Sequence, residues 1–313
     1  MSQQQRDALD ELLRNGPLDL GGDVKEQRVI FEEMMGAIPV PDDVSASPGS
    51  LGGIPVVNVD VDGTEPGPVI LYFHGGAYAV GTAASSVGLA SDLARHAGVQ
   101  LVSVDYRLAP EHAYPAALED AVAAYRGLLA GRLSPSAIAL AGESAGAGLV
   151  AATLVALKRA GVPLPSAAVM MSPWVDLTLS GDSMSDRAAL DPALTPDGLR
   201  RRAGDYVRAG DPADGLLSPI FADLTGLPPL LVQVGSHEIL LDDATRLAAR
   251  AAAADVAVTL QVTPQVPHVF QAFASMLDEA GVALTNAGDF LHAHLTAGPG
   301  DVLGEPLPVG STA

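Results

Sequence analysis

The sequence predicts an α/β fold whose core is a mainly parallel sheet flanked by helices. Three observations predict it. From Pro68 onward, apolar runs of strand length alternate with helical stretches. The runs at 69–73, 137–141 and 167–171 are continuously apolar, as strands covered on both faces are, and do not alternate with polar residues. One run, at 137–141, leads through Gly-Glu-Ser-Ala-Gly into an Ala-rich helix, the strand–turn–helix order of a nucleophile elbow.

The elements follow in order. Residues 6–14 and 24–36 read as amphipathic helices, with Leu9, Leu12 and Leu13 on one face of the first and Val29, Ile30 and Met34 on one face of the second. Gly-Pro at 16–17 and Gly-Gly at 21–22 separate them. They precede the first convincing strand, so they are expected to pack over the sheet. Residues 37–68 are rich in Pro, Gly, Asp and Ser around an apolar stretch at 54–61, which suggests irregular edge strands or a hairpin. Strands are then expected at 69–73, 100–104, 137–141, 167–171, 230–234 and 256–262. Helices are expected near 86–97, 115–130, 145–160, 239–254 and 270–294. Residues 178–215 break the alternation with many Asp, Arg, Ser, Gly and Pro. A segment that long between strands is usually functional. It is expected to be a helical insertion over the carboxyl edge of the sheet, where open α/β sheets bind ligands. The Gly/Pro-rich tail, 298–313, is expected to be flexible.

Composition narrows the function classes. With 48% hydrophobic residues in 313, the chain can bury a sizeable core. Its 37 acidic and 17 basic residues, a net charge of −20, disfavour nucleic acid and anionic membrane surfaces as partners. The chain has no cysteine, which excludes disulfides, thiol catalysis and Cys-based metal sites. No apolar signal region opens the chain and no apolar run reaches spanning length, so a cytoplasmic location is expected.

The chemistry centres on Ser144. Gly142 and Gly146 flank it where strand and helix nearly touch, and the turn points the Ala145 N–H at whatever the hydroxyl attacks. A serine hydroxyl needs a base, and the base needs an orienting acid. In this kind of sheet the order is Ser, acid, His. Of the seven histidines, His74, His96 and His112 precede Ser144, and His292 and His294 lie inside the last helix. His237 is possible. His268 fits better, in a Pro-flanked loop after the final strand. The acid should follow the strand at 230–234. Glu238 lies in that turn, whereas Asp242 and Asp243 fall on the next helix, capping it or facing solvent. Asp176 is a further candidate after the strand at 167–171. His237-Glu238 lacks the H-E-x-x-H spacing of a zinc site, so no metal is expected. After the first strong strand, His74-Gly75-Gly76-Ala77-Tyr78 resembles the HGGG oxyanion loop of lipases and esterases, with Ala77 in place of the last glycine. That replacement leaves open which two of Gly75, Gly76 and Ala77 donate.

Together these pieces resemble the bacterial hormone-sensitive-lipase family of α/β-hydrolase esterases. The resemblance rests on HGGAY at 74–78, DYRLAPEHAYPA at 105–116, GESAG at 142–146, SPWVDL at 172–177, GSHEILLDD at 235–243 and PHVF at 267–270. It implies an α/β-hydrolase fold, hydrolysis of short acyl esters and no cofactor. It also implies a cap made of residues 1–45 and the insertion 178–215, set on a core of 46–177 and 216–297. Carried over residue by residue, the triad is Ser144, Glu238 and His268, with Glu238 where the family usually has Asp. The carried-over oxyanion donors are Gly75, Gly76 and Ala145. Asp105, Arg107 and Glu111 look like a polar network bracing the oxyanion loop. The expected partner is a small-molecule ester, and a homodimer through the sheet edge near the last strand is plausible. Two rival readings are a receptor-like ligand-binding protein, against which the retained Ser–Glu–His set argues, and a deacetylase or amidase on the same fold.

Overall fold

The computed structural model describes residues 3–36, 40–64 and 66–295, so the tail expected at 298–313 lies outside the described residues. Eight strands form one sheet in the order β1-β2-β4-β3-β5-β6-β7-β8. They are β1 (Val44–Leu51), β2 (Ile54–Val61), β3 (Val69–Phe73), β4 (Gln100–Val104), β5 (Ile138–Glu143), β6 (Ala167–Met171), β7 (Leu230–Gly235) and β8 (Val258–Thr263). The helices are α1 (Gln3–Arg14), α2 (Val24–Gly36), α3 (Val87–Ala97), α4 (Ala116–Ala130), α5 (Ala145–Arg159), α6 (Ser183–Asp186), α7 (Pro196–Val207), α8 (Leu241–Ala253) and α9 (Asp278–His294). Of the two forms expected for 37–68, irregular edge strands or a hairpin, the chain adopts the hairpin: β1 pairs antiparallel with β2, and β2 antiparallel with β4. All other pairs are parallel.

The period of two sorts each central strand between two cores. Val69, Leu71 and Phe73 of β3 join the larger core with residues of α4, α5 and α8. Ile70 and Tyr72 face the other core, with residues of α3 and α9. Both faces are filled, which is why β3, β5, β6 and β7 are buried along their whole length. Burial on both faces is also the physical cause of their largely apolar sequences, from which Glu143 of β5 and Gln233 of β7 depart. β1 and β8 are the two edge strands, and β8 leaves Leu260 and Val262 exposed.

The register aligns the strand ends. Phe73 pairs with Val104 and Gly142, Glu143 with Met171, and Met171 with Gln233. The residues that follow each strand therefore emerge along one edge. β4 lies on one side of β3 and β5 on the other, so this edge contains the switch point at which open α/β sheets bind ligands.

The N-terminal helices and the insertion lie against this edge. Leu9 of α1 is fully buried against Val266, Phe270 and Leu277. Leu12, expected on the same face, is exposed. In α2 the expectation was wrong in detail. Val29 faces solvent, and the buried residue is Gln27, which accepts the Asp19 N–H at 2.7 Å. Arg28 of α2 donates to the carbonyls of Ala79 and Ala109 and pairs with Glu111. The insertion carries α6 and α7, and Arg201 and Arg202 of α7 donate to the carbonyls of Gly21 and Gly22. The helix expected at 270–294 is two elements, a 3-10 turn over Phe270–Phe273 and then α9. Leu277, in an extended conformation, separates the two. Among the described residues no helix is long and apolar enough to cross a membrane.

Candidate active site

Ser144 sits at the elbow between β5 and α5 with φ 54° and ψ −121°, a strained conformation for a residue with a side chain. The surroundings hold it there. Its N–H donates to the Met171 carbonyl at 2.9 Å, and its own carbonyl accepts the Trp174 N–H at 3.0 Å. The glycines are steric necessities. A Cβ on Gly146 would stand 2.0 Å from the Phe73 carbonyl oxygen, and one on Gly142 would stand 2.7 Å from the same atom.

Three of the residues singled out in the sequence come together here. His268 Nε2 lies 2.9 Å from Ser144 Oγ, and His268 Nδ1 lies 2.7 Å from Glu238 Oε2. The other carboxylate oxygen, Glu238 Oε1, accepts the Ser172 hydroxyl at 2.8 Å and the Gly235 N–H at 2.6 Å. Ser172 Oγ in turn accepts the Val269 N–H at 3.0 Å. Ser172 thus ties the acid to the histidine loop. Glu238 is fully buried. Burial pushes its carboxyl above the ordinary range, and the neighbouring His268 pulls it back.

The other acid candidates do not reach His268. Asp176 is held by Arg246 at 2.8 Å and by Ser180. Asp242 accepts the Ser183 N–H. Asp243 does not face solvent as expected. It is fully buried, and one of its oxygens accepts both the Val175 and Asp176 N–H groups. Its place one turn into α8 points it at the exit of β6, a tertiary neighbour invisible in local sequence. His237 borders a cleft with Arg6, Asp7 and Asp10 of α1.

One oxyanion assignment is corrected. The Gly75 N–H donates to Glu143 Oε1 at 2.6 Å, so it is already engaged. Within 75–78 the amides of Gly76, Ala77 and Tyr78 have no acceptor among the described residues, nor does the Ala145 amide at the start of α5; of the three, Gly76 and Ala77 directly follow the engaged Gly75. Ala77 and Tyr78 have φ 53° and 60°, which turns this stretch back on itself. Ala79 and Val80 N–H groups donate to the Gly76 carbonyl, and the Tyr106 hydroxyl donates to the His74 carbonyl. Tyr78 stacks on Tyr206 of α7 at 3.9 Å between ring centroids. His74 is buried and stacked on Tyr106 at 4.2 Å. The expected bracing network is divided. Asp105 accepts the Ala83 N–H, Arg107 pairs with Asp120 of α4, and Glu111 pairs with Arg28 of α2. Only the Glu111–Arg28 branch reaches the loop, through the Ala79 carbonyl.

Sequence reasoning missed Ser172, Asp191 and Glu143 as parts of the site. Asp191, in the insertion, accepts the Ile239 N–H beside Glu238 at 2.8 Å. Ser172 opens the SPWVDL stretch, and Glu143 is a charge at the end of a buried strand. That burial of a charge was the available signal.

Known proteins agree with this architecture. Residues 70–272 match a family described by the alpha/beta hydrolase fold. An acetyl-hydrolase of Streptomyces hygroscopicus is 43% identical over 277 residues, covering 86% of this chain and 90% of that protein. An esterase of Acinetobacter venetianus is 35% identical over 267 residues, covering 84% and 87%. The crystal structure of an esterase from the bacterial hormone-sensitive lipase family superposes with a TM-score of 0.91 at 41% identity, covering 95% of this chain and 100% of that one. The esterase EstE5, soaked with p-nitrophenyl butyrate, superposes with a TM-score of 0.90 at 36% identity, covering 94% and 99%. By fold, by sequence and by these relatives, the chain belongs to the bacterial hormone-sensitive-lipase family of α/β-hydrolase esterases.

Proposed function

We propose that the chain is a serine carboxylesterase that cleaves short-chain acyl esters through an acyl-enzyme. The observation that carries this is the hydrogen-bonded line from Ser144 Oγ through His268 to Glu238. Ser144 Oγ attacks the ester carbonyl carbon while His268 Nε2 takes its proton. The carbonyl oxygen becomes an oxyanion, stabilised by the amides of Gly76, Ala77 and Ala145. The intermediate collapses, the C–O bond to the alcohol breaks, and the imidazolium protonates the leaving alkoxide. Water then attacks the acyl-serine by the same route and releases the acid. Glu238 keeps the imidazole in the tautomer with a proton on Nδ1 and stabilises the imidazolium.

In this reading the N-terminal helices and the insertion form a cap over the acyl site. The resemblance to an acetyl-hydrolase and to an esterase soaked with p-nitrophenyl butyrate supports a short acyl group. The acetyl-hydrolase relative also favours a second reading, a deacetylase, in which the acyl group is restricted to acetyl. A series of p-nitrophenyl esters from acetate to dodecanoate separates the two. The esterase reading expects activity on acetate through hexanoate and its loss in Ser144→Ala. Activity on acetate alone would favour the deacetylase, and full activity in Ser144→Ala would refute both.

A further inference from the structure

Glu143 is a buried carboxyl beside the nucleophile that the proposed reaction does not use. It ends β5 and is joined by its peptide bond to Ser144. Its side chain turns toward β3. There Oε1 accepts the Gly75 N–H at 2.6 Å, and Oε2 is hydrogen-bonded to the hydroxyl of Tyr72, which is fully buried. The fit is close: a Cβ on Gly75 would lie 3.2 Å from Glu143 Cγ and 3.3 Å from its Oε1.

The stretch that follows is strained. Gly76, Ala77 and Tyr78 all have positive φ, of 110°, 53° and 60°. Such conformations persist only where the surroundings over-determine them. Several contacts hold this stretch to the fold, among them Arg28 on Ala79 and Tyr206 stacked on Tyr78. The contact through Glu143 differs in kind. It links the loop to the residue adjoining the nucleophile, so it sets the loop amides relative to Ser144 itself.

We propose that Glu143 is a positioning residue for the oxyanion hole: it withdraws the Gly75 N–H from the donor set and holds the Gly76 and Ala77 amides in register with Ser144. This rests on the serine-esterase reading above. Burial pushes the Glu143 carboxyl up to about 7. Its Oε1 accepts the Gly75 N–H and its Oε2 accepts the Tyr72 hydroxyl. A glutamine keeps the Gly75 bond through its amide oxygen, and its NH2 can donate to the Tyr72 oxygen once that hydroxyl turns its hydrogen away. A methionine of similar length cannot accept the Gly75 N–H.

Glu143→Gln is therefore expected to stay within about fivefold of the parent in kcat, while Glu143→Met loses about 10²-fold, the scale of losing one oxyanion donor. KM should change by less than about threefold in both, because ground-state binding is untouched. The inhibition constant of a trifluoromethyl ketone, whose adduct carries the oxyanion, should weaken in Glu143→Met in step with kcat. A Met variant with parental kcat, or a Gln variant as impaired as Met, would overturn the proposal. Ser144→Ala run alongside separates this from failure of the esterase reading itself: if it is inactive while Glu143→Met is normal, only the positioning role fails. Should Glu143→Met not fold, amide NMR of the parent protein decides. On binding the ketone, the Gly76, Ala77 and Ala145 amides should shift and Gly75 should not; a Gly75 shift as large as theirs overturns the assignment.

Discussion

Replacing Glu238 by glutamine tests the proposed triad most directly, because the structure dictates how the amide must sit. Glu238 Oε1 accepts two hydrogen bonds, from Ser172 Oγ and the Gly235 N–H, and Oε2 faces His268 Nδ1. A glutamine has one oxygen and one NH2 group. Placing the NH2 at the Oε1 position would set it against the Gly235 N–H, donor against donor. The oxygen must therefore stay there, which turns the NH2 toward His268. The imidazole then accepts at Nδ1 and carries its proton on Nε2, the atom that faces Ser144 Oγ. That tautomer cannot take the serine proton. The equivalent substitution in a serine protease costs roughly 10⁴ in kcat, and a factor of that size is about 5.5 kcal/mol in the activation barrier. Here the second acceptor site is doubly occupied, so little of the loss can be recovered by flipping the amide. We expect Glu238→Gln to lose about 10³ to 10⁴ in kcat on p-nitrophenyl acetate, with KM changed less than about threefold. Asp242→Asn should remain within about tenfold of the parent. A Glu238→Gln enzyme within tenfold of the parent, or a crippled Asp242→Asn, would refute the assignment of the acid.

Three further expectations follow from the same geometry. Gly146→Ala places a Cβ 2.0 Å from the Phe73 oxygen and 2.4 Å from the His74 oxygen; both are backbone atoms, so the cost should reach at least about 3 kcal/mol, and a thermal melt within a few degrees of the parent would contradict it. His74 is fully buried, and burial lowers its pKa to about 4. The unfolded chain therefore binds a proton that the fold refuses as pH falls from about 6.5 to 4, and His74 should cost about 3 kcal/mol of stability across that window. Because Glu143 titrates in the opposite sense on the way to about 7, the test is the difference between parent and His74→Phe in urea midpoints at pH 7 and 4; equal differences at both would refute it. Deleting residues 1–36 removes Leu9 from its apolar cluster and Arg28 from the Ala79 and Ala109 carbonyls, so aggregation by light scattering and impaired butyrate hydrolysis are expected, and unchanged kinetics would count against the cap.

The parallel sheet, the elbow at Ser144 and the placement of Glu238 and His268 were legible because each leaves a local trace. A strand covered on both faces must be largely apolar, and β3 and β6 are apolar along their whole length. A strand–helix contact closer than a Cβ allows must be glycine, and Gly142 and Gly146 are. Chain order left His237, Asp176 and the Asp242–Asp243 pair as alternatives, and it was position, in the turn after one strand and the Pro-flanked loop after the last, that favoured Glu238 and His268. The apolar face of α2 was misread because helical periodicity shows which residues share a face, not which face the protein covers. There Gln27 is buried to satisfy the Asp19 N–H while Val29 faces solvent.

The sequence by itself determined the fold class and pointed to the three side chains that meet at the candidate site: runs and turns are local, and the order of Ser144, Glu238 and His268 is a property of the chain. Only the tertiary structure decided how polar groups distant in sequence share their hydrogen bonds. Gly75 is a plausible oxyanion donor until Glu143, on another strand, is seen to hold its N–H. Asp243 is a plausible surface residue until Val175 and Asp176 are seen to donate to it. Ser172 has no evident role until Glu238 and Val269 are brought to either side of its hydroxyl. Each backbone N–H has one proton to give, and which acceptor receives it is settled by what folding brings within about 3 Å.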